Sequence, residues 1–348
     1  MLAKFVNSSL IERVENALQC LAVADAVGYL YEFEENRPDR ETILLDLKNE
    51  NRISDDTQMT LFSFKAVYDI LNGEDPRKAF EQAYLWWYKT QISSVPTRPP
   101  RPGLNSFLEL YHKAAPGQTC ISALRSLSYG NEVKNDSYGC GSVMRLMPLI
   151  LLFNVFGLDK TIEIAKNSAN VTHKHQLNNV AVEKLMRVYH DAMVTGSLSE
   201  VIIGEDFSGW DAISCVDAAI EANRQSRSFE DLVVWCIQNT EDCDSTAAVA
   251  ASIWGLTHAK IEYKVKEQRV LDYTMLTFKE YLQEAKNIGV LYHFTKLDNL
   301  EHLASEKLQR KDLDADIFTL YAKRGASLTR NYALSNNPTG IFLKTMGL

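Results

Sequence analysis

Between residues 9 and 286 the apolar side chains recur at the three- and four-residue spacing of helix faces, and period-two alternation is almost absent. That pattern excludes a sheet-based body and predicts an all-α bundle. Helices are expected at 9–22, 59–71, 75–90, 106–113, 119–126, 143–156, 161–169, 177–194, 212–224, 228–236 and 274–286. Between them, 29–38 reads as a loop carrying Glu32 and Glu34, and 94–103 as a rigid loop with four prolines. Hydrophobic residues make up 46% of the 348, enough for a sizeable core without cross-links. The pattern changes near residue 287. Residues 288–295 read as a strand, 297–308 as a helix, and 317–320 and 326–329 as short strands, so the expected division is an all-α domain over 1–287 and an α+β segment over 288–348.

The net charge of −8 and the pI of about 5.5 argue against general nucleic-acid binding, which needs a basic surface for the phosphate backbone. Cys20, Cys120, Cys140, Cys215, Cys236 and Cys243 form no Cys-x-x-Cys pair, which points to buried free thiols in a reducing cytosol. Glu12, Arg13 and Glu15 interrupt any signal-peptide core, and the apolar run 146–158 is too short to span a bilayer. A cytoplasmic monomer with no membrane partner is expected.

Two clusters carry chemistry. Ser54-Asp55-Asp56 stands before the apolar residues Met59, Leu61, Phe62, Phe64, Ala66, Val67, Ile70 and Leu71, so a hydroxyl and two carboxylates sit at the mouth of a buried helix. Alone this is a common helix cap. A second cluster has the same layout, with Asp242-Cys243-Asp244-Ser245-Thr246 preceding the small-residue run 247–256. Asp242 and Asp244 would not share a helix face, but on a chain entering a helix both can turn to one ion. Oxygen-only donors suit hard cations such as Mg²⁺ or Mn²⁺. Two such helix mouths facing each other could share a metal pair, whose ions in known two-metal sites lie about 3.5–4 Å apart.

Four segments in order resemble the ADP-ribosylglycohydrolase family, which includes dinitrogenase reductase-activating glycohydrolase and the ADP-ribosyl-acceptor hydrolases. They are Ala24-Asp25-Ala26-Val27-Gly28 with Glu32-Phe33; Ser54-Asp55-Asp56-Thr57-Gln58-Met59-Thr60; Gly139-Cys140-Gly141-Ser142-Val143-Met144-Arg145 with Pro148; and Asp242-Cys243-Asp244-Ser245-Thr246. Thr172-His173-Lys174-His175 and Trp87-Tyr88-Lys89-Thr90-Gln91 add to the likeness, which covers about residues 8 to 260. It implies an all-α fold with two Mg²⁺ (or Mn²⁺) in a central cleft and hydrolysis of the bond between ADP-ribose and an acceptor, a protein side chain or another group. Carried over residue by residue, it implies Ser54, Asp55, Asp56, Asp242, Asp244 and Ser245 as metal ligands. Ser54 and Ser245 replace threonines and keep the hydroxyl; Ala24 and Glu241 replace usual glycines, and Gln176 stands where a proline is common.

Cleavage of such a bond passes through an oxocarbenium-like state and needs a proton donor or acceptor beside the leaving atom. Asp55, Asp56 and Glu32 are the expected catalytic carboxylates. Gly139, Cys140, Gly141 and Ser142, read as a loop entering a helix, are expected to close on the pyrophosphate of ADP-ribose, with His173 against the ribose or adenine. Met144 and the aromatic residues between Phe80 and Tyr88 are expected in the core, and Arg145 behind the loop or beside an acid. A second reading of the same residues is a catalytically inactive ADP-ribose binder, such as an immunity protein that blocks a transferase. In the tail, Tyr292-His293-Phe294-Thr295, Leu297-Asp298-Asn299-Leu300 and Ser327-Leu328-Thr329-Arg330-Asn331 resemble the opening of certain bacterial ADP-ribosyltransferase-like toxins. The expectation there is a truncated transferase-like module or a small appendage.

Overall fold

A computed structural model of the chain describes residues 8–96, 103–198 and 201–288. The expected α+β segment and its toxin-like motifs lie outside the described residues. Within them the fold is all-α: α1 (Ser8–Gly28), α2 (Arg40–Asp46), α3 (Asp55–Leu71), α4 (Pro76–Ile92), α5 (Gln118–Ser128), α6 (Phe153–Ala169), α7 (Leu177–Thr195), α8 (Ala212–Gln225), α9 (Phe229–Asn239), α10 (Cys243–Thr257) and α11 (Gln268–Ile288). Pairing between extended segments among the described residues is confined to two isolated bridges, Asn51 with Val265 and Gly139 with Asp211.

The closest packing in the bundle joins α1 and α10. Both helices are rich in alanine and glycine, which lets their backbones touch. A Cβ on Gly255 would stand 2.6 Å from Ala17 Cα, and one on Gly28 would stand 2.6 Å from Asp244 Cα. These two contacts run in opposite chain directions, so the helices are antiparallel and the start of α10 lies beside the end of α1. Arg13 reinforces the other end. Its guanidinium donates to Leu256 O at 2.7 Å, Met193 O at 2.8 Å and Ala192 O at 2.6 Å, satisfying terminal carbonyls of α10 and α7 with a cation that the helix dipoles favour.

Helix α3 is buried along most of its length, as its apolar run predicts. Its polar residues are paired. Gln58 Oε1 accepts from Trp87 Nε1 at 3.1 Å and Gln91 Nε2 at 2.7 Å, tying α3 to α4, and Ser63 Oγ meets Tyr84 Oη at 2.9 Å. Phe80, Tyr84, Trp87 and Tyr88 are core residues, and Met144 is buried in the same hydrophobic core.

Three expectations need correction. The run 143–156 is not an α-helix. After a short 3₁₀ turn at Cys140–Ser142, a second 3₁₀ helix occupies Met147–Leu152, and α6 begins only at Phe153. Pro148 lacks the N–H that an α-helix would use there, and every residue from 142 to 153 is buried, so packing rather than helix propensity sets the path. Gly157, at φ +76°, then kinks α6. The predicted helix 106–113 is a pair of 3₁₀ turns, Leu104–Ser106 and Leu108–Leu110. Helix α2 was not predicted. It is about two turns long, capped by Asp39, which accepts from Thr42 N at 2.9 Å, and only Ile43 within it is buried. The segment Cys140–Ala169 is apolar and long enough by composition to cross a membrane, but 67% of its most apolar window is buried inside the bundle and Gly157 breaks it.

Candidate metal centre and nucleotide loop

Three helix ends converge on one buried point: the last turn of α1 and the first turns of α3 and α10. Ser54 caps α3 as its position predicts, its Oγ accepting from Asp56 N at 3.1 Å and donating to Asp56 Oδ2 at 2.9 Å. Asp242 immediately precedes α10 and Asp244 lies in its first turn. Ser245 Oγ crosses from α10 to α3 and donates to Asp56 Oδ1 at 3.0 Å. Thus two clusters almost two hundred residues apart meet through a direct hydrogen bond.

The acids fall into two groups whose carboxylate oxygens lie within 4.8 Å of one another: Asp25, Asp56 and Asp244, and Glu32, Asp242 and Asp244. Asp244 belongs to both. Asp55 stands just outside, with Oδ2 accepting from Gly117 N at 3.5 Å. Asp25 has no assigned role in the sequence reading, although it lies in the first motif. It is fully buried and accepts from Ser54 N at 3.1 Å, Thr57 N at 3.3 Å and Thr57 Oγ1, so it braces the first turn of α3. A lone acid amid alanines and a glycine at the end of an apolar helix was the available signal.

Among the described residues, no lysine, arginine or histidine forms an ion pair with any of these six carboxylates. Asp242 Oδ1 and Glu32 Oε2 are buried and receive no hydrogen bond. Burial and mutual repulsion therefore push protons onto the site. Burial holds the carboxyls of Asp55, Asp56 and Asp244 well above the usual range; Asp25 adds most to this at Asp55, Asp55 at Asp56, and Asp56 at Asp244. Burial raises Asp25 to about 6 against the opposing effect of its hydrogen bonds. Burial, then Asp242 and Asp25, raises Glu32 to about 8. This arrangement fits divalent cations: a set of hard oxygen donors, buried charge without a counter-ion, and two orphaned carboxylate oxygens.

The metal-free protein should record this in its stability. Unfolded carboxyls lose their protons near pH ~4, while Asp25 and Glu32 in the fold keep theirs to about 6 and about 8. Between these limits the folded state binds more protons than the unfolded state, so stability falls as pH rises. Calorimetry in a chelator should give a Tm that drops from pH 5 to pH 8. A Tm that rises across this window would contradict the buried-acid arrangement.

The loop at 139–142 lies on the rim of the acids. Cys140 Sγ donates to Asp242 Oδ2 at 2.7 Å and lies 3.6 Å from Ser245 Oγ, whose proton goes to Asp56. Its backbone pairs with the segment before α8: Cys140 N donates to Trp210 O at 3.0 Å, and Ala212 N to Tyr138 O at 2.8 Å. Ser142 N is turned inward to Gly139 O at 3.2 Å. Two of the four amides expected to meet a phosphate are therefore engaged, which leaves those of Gly139 and Gly141. The expected helix dipole behind the loop is also missing, since no α-helix starts at residue 143. What lies behind the loop instead is His173. A Cβ on Gly141 would stand 3.1 Å from His173 Cε1 and 3.2 Å from Cys120 Sγ, so only glycine fits without displacing the ring. A cavity of about 340 Å³ opens beside the loop, lined by Asp136, Ser137, Tyr138, Gly139, Trp210 and Asp211. Trp210 and Asp211 went unrecognised in the sequence because their link to the loop is backbone pairing. Of the two places expected for Arg145, behind the loop or beside an acid, the structure has the first: it is buried without an acidic partner and contacts Cys120 and Thr172 behind Gly141.

Fold and site together define an all-α bundle with buried carboxylates gathered at converging helix ends, in two groups that could hold a metal ion, beside a glycine loop. The sequence matches the ADP-ribosylglycohydrolase family over residues 7–267, and the chain belongs to that family. Among solved structures it is similar to a chain from an "ADP-ribosylglycohydrolase-related protein complex", with 18% identity and a TM-score of 0.53, over 77% of this chain and 98% of that one. At that identity the likeness concerns the fold. No curated protein matches the sequence.

Proposed function

We propose that the protein is a metal-dependent hydrolase that cleaves the glycosidic bond between ADP-ribose and an acceptor, a protein side chain in the first instance, and so reverses ADP-ribosylation. The observation that carries this reading is the buried carboxylate cluster without a cationic partner, in a chain of this family. Ser54, Asp55, Asp56, Asp242, Asp244 and Ser245 would hold two Mg²⁺ or Mn²⁺, with Asp25 bracing the first turn of α3. Such ions, when bound, anchor ribose hydroxyls and make a bound water more acidic. Glu32, on the turn after α1, is the acid–base group: its Oε2 has no donor, and its raised proton affinity suits it to give a proton to the departing acceptor atom and take one from water. Gly139 and Gly141 offer amides to the pyrophosphate, and the packed core behind them excludes water from that side. Six free cysteines agree with a reducing compartment such as the cytosol.

Release of ADP-ribose from arginine-modified, serine-modified and nucleic-acid-linked substrates, each with Mg²⁺ and with EDTA, tests the reaction and names the acceptor. One of the three should turn over with Mg²⁺ and none with EDTA. Full activity after exhaustive chelation would refute the two-metal reading, and binding of ADP-ribose without release from any substrate would make the protein an inactive binder. Thermal shift separates this site from a generic metal site. A ligand at a hundred times its Kd stabilises the native state by about 2.7 kcal/mol. ADP-ribose should shift the Tm well above AMP, which lacks the second phosphate and the distal ribose, and removing Mg²⁺ should narrow the gap. Equal shifts for both, indifferent to Mg²⁺, would remove the loop assignment and the substrate class together.

A further inference from the structure

Behind the loop, a chain of three side chains fixes where a proton sits. Arg145 is fully buried and has no carboxylate partner. Its guanidinium lies over the Tyr84 ring at 4.2 Å, and Nη1 approaches Met59 Sδ at 3.4 Å and Cys120 Sγ at 3.6 Å. Nη2 donates to Ser168 O at 3.2 Å and, more closely, to Thr172 Oγ1 at 2.7 Å. Thr172 Oγ1 is in turn 2.8 Å from His173 Nδ1.

The direction of this chain follows from the donor inventory. A guanidinium can only donate, so Thr172 Oγ1 accepts from Arg145 and keeps its own proton to give away. Two acceptors lie within its reach, the Cys120 sulfur and His173 Nδ1. A thiol sulfur accepts weakly, and the imidazole nitrogen takes the hydrogen bond. Nδ1 is then the unprotonated nitrogen of the ring, and the ring proton resides on Nε2. Burial, and then the charge of Arg145, lowers the His173 pKa to about 3, which keeps the ring neutral. Nε2 lies on the loop side: it is 3.4 Å from the place a Cβ on Gly141 would occupy and 3.6 Å from that on Gly139. No hydrogen-bond partner for it exists among the described residues.

We propose that Arg145 and Thr172 are positioning residues that lock His173 in its Nε2–H tautomer, so that it presents a fixed, uncharged N–H donor over the loop at 139–141 to an acceptor oxygen of the bound nucleotide. The identity of the ligand rests on the function proposed above; the tautomer does not. The lock supplies the donor that the turned-in amides of Cys140 and Ser142 withhold. It also removes His173 from acid–base work, because its one lone pair is spent on Thr172, and it leaves proton transfer to the carboxylates. A lysine could not replace Arg145, since one ammonium cannot span Ser168 O, Thr172 Oγ1 and the face of Tyr84 in a single planar arrangement.

Long-range ¹H–¹⁵N correlation spectra of the full chain, with labelled histidine, read the tautomer directly, and the His173 signals are assigned by their loss in His173→Gln. The wild type should show a protonated Nε2 and a bare Nδ1. Thr172→Val should scatter this signature into a mixture of tautomers and raise the ADP-ribose Kd about tenfold, the scale of one hydrogen bond. Thr172→Ser should restore both. A protonated Nδ1 in the wild type overturns the proposal whether or not the valine variant folds, and so does an unchanged Nε2–H signature in a folded Thr172→Val. An intact signature in a wild type that fails to bind ADP-ribose would overturn the nucleotide role of the donor while the tautomer assignment stands.

Discussion

Asp56→Asn should lower turnover by at least about a hundredfold, the scale expected when a residue central to transition-state stabilisation is removed, and leave the helical circular-dichroism signal unchanged. Asp56 is the joint of the site. Its Oδ2 accepts from Ser54 and its Oδ1 from Ser245, and it shares one acid group with Asp25 and Asp244. The asparagine carbonyl can keep one of these two hydrogen bonds, so the fold should survive. The negative charge goes, and with it one donor of the proposed cation site. Burial and the neighbouring charges of Asp55, Asp25 and Asp242 make that charge costly in the metal-free state. The metal-free variant should therefore melt no lower than the wild type, and higher at pH 8, where the repulsion is greatest. Its Mg²⁺-dependent rise in Tm should disappear. Unfolding of the variant would instead mean that Asp56 serves the fold. Asp244→Asn, at the acid common to both groups, should behave alike.

Gly28→Val should damage the same site through packing alone. A Cβ at residue 28 would stand 2.6 Å from Asp244 Cα and 3.0 Å from Asp244 N, and helix backbone cannot yield as a flexible side chain does. Relief requires α10 to move away from α1, which carries Asp244 and Ser245 away from Asp25 and Asp56. Overpacking of this kind costs about 1–3 kcal/mol, and the variant should lose its Mg²⁺ response in calorimetry although none of the proposed ligands has been changed. Gly103→Ala is the control, since a Cβ there meets nothing within 4 Å and its backbone is extended. A Gly28→Val protein with wild-type stability and Mg²⁺ binding would show that the α1–α10 contact does not set the spacing of the acids.

Much of this was legible in the chain. The helical spacing of apolar residues gave the all-α body, because a buried helix must repeat its apolar face whatever it packs against. Ser54 and the acids after it, and Asp242 and Asp244 before a run of alanines, were recognisable because helix mouths attract hydroxyls and carboxylates by local rules that do not depend on the rest of the fold. The family likeness, carried by those same motifs, agrees with the family match over residues 7–267.

Other features depended on tertiary contacts. Pro148 and complete burial turned the apolar run after the loop into 3₁₀ turns, so a stretch with helical composition did not become the helix its composition suggested. The Cys140 amide of the loop is occupied by Trp210 O, and the sequence carries no sign of it, since backbone pairing leaves no trace in side-chain identity. Asp25 joined the acids because α1 and α10 run antiparallel in close contact, and only that packing brings the end of one to the start of the other. The order Arg145, Thr172, His173 has the same origin: two of these residues are neighbours in sequence, but the third reaches them from 27 positions away. Which residue types stand at helix ends follows from the chain alone, because capping and periodicity are local. The tertiary structure decided which of them meet and which donors remain free, because distances between helices are set by packing across the whole bundle.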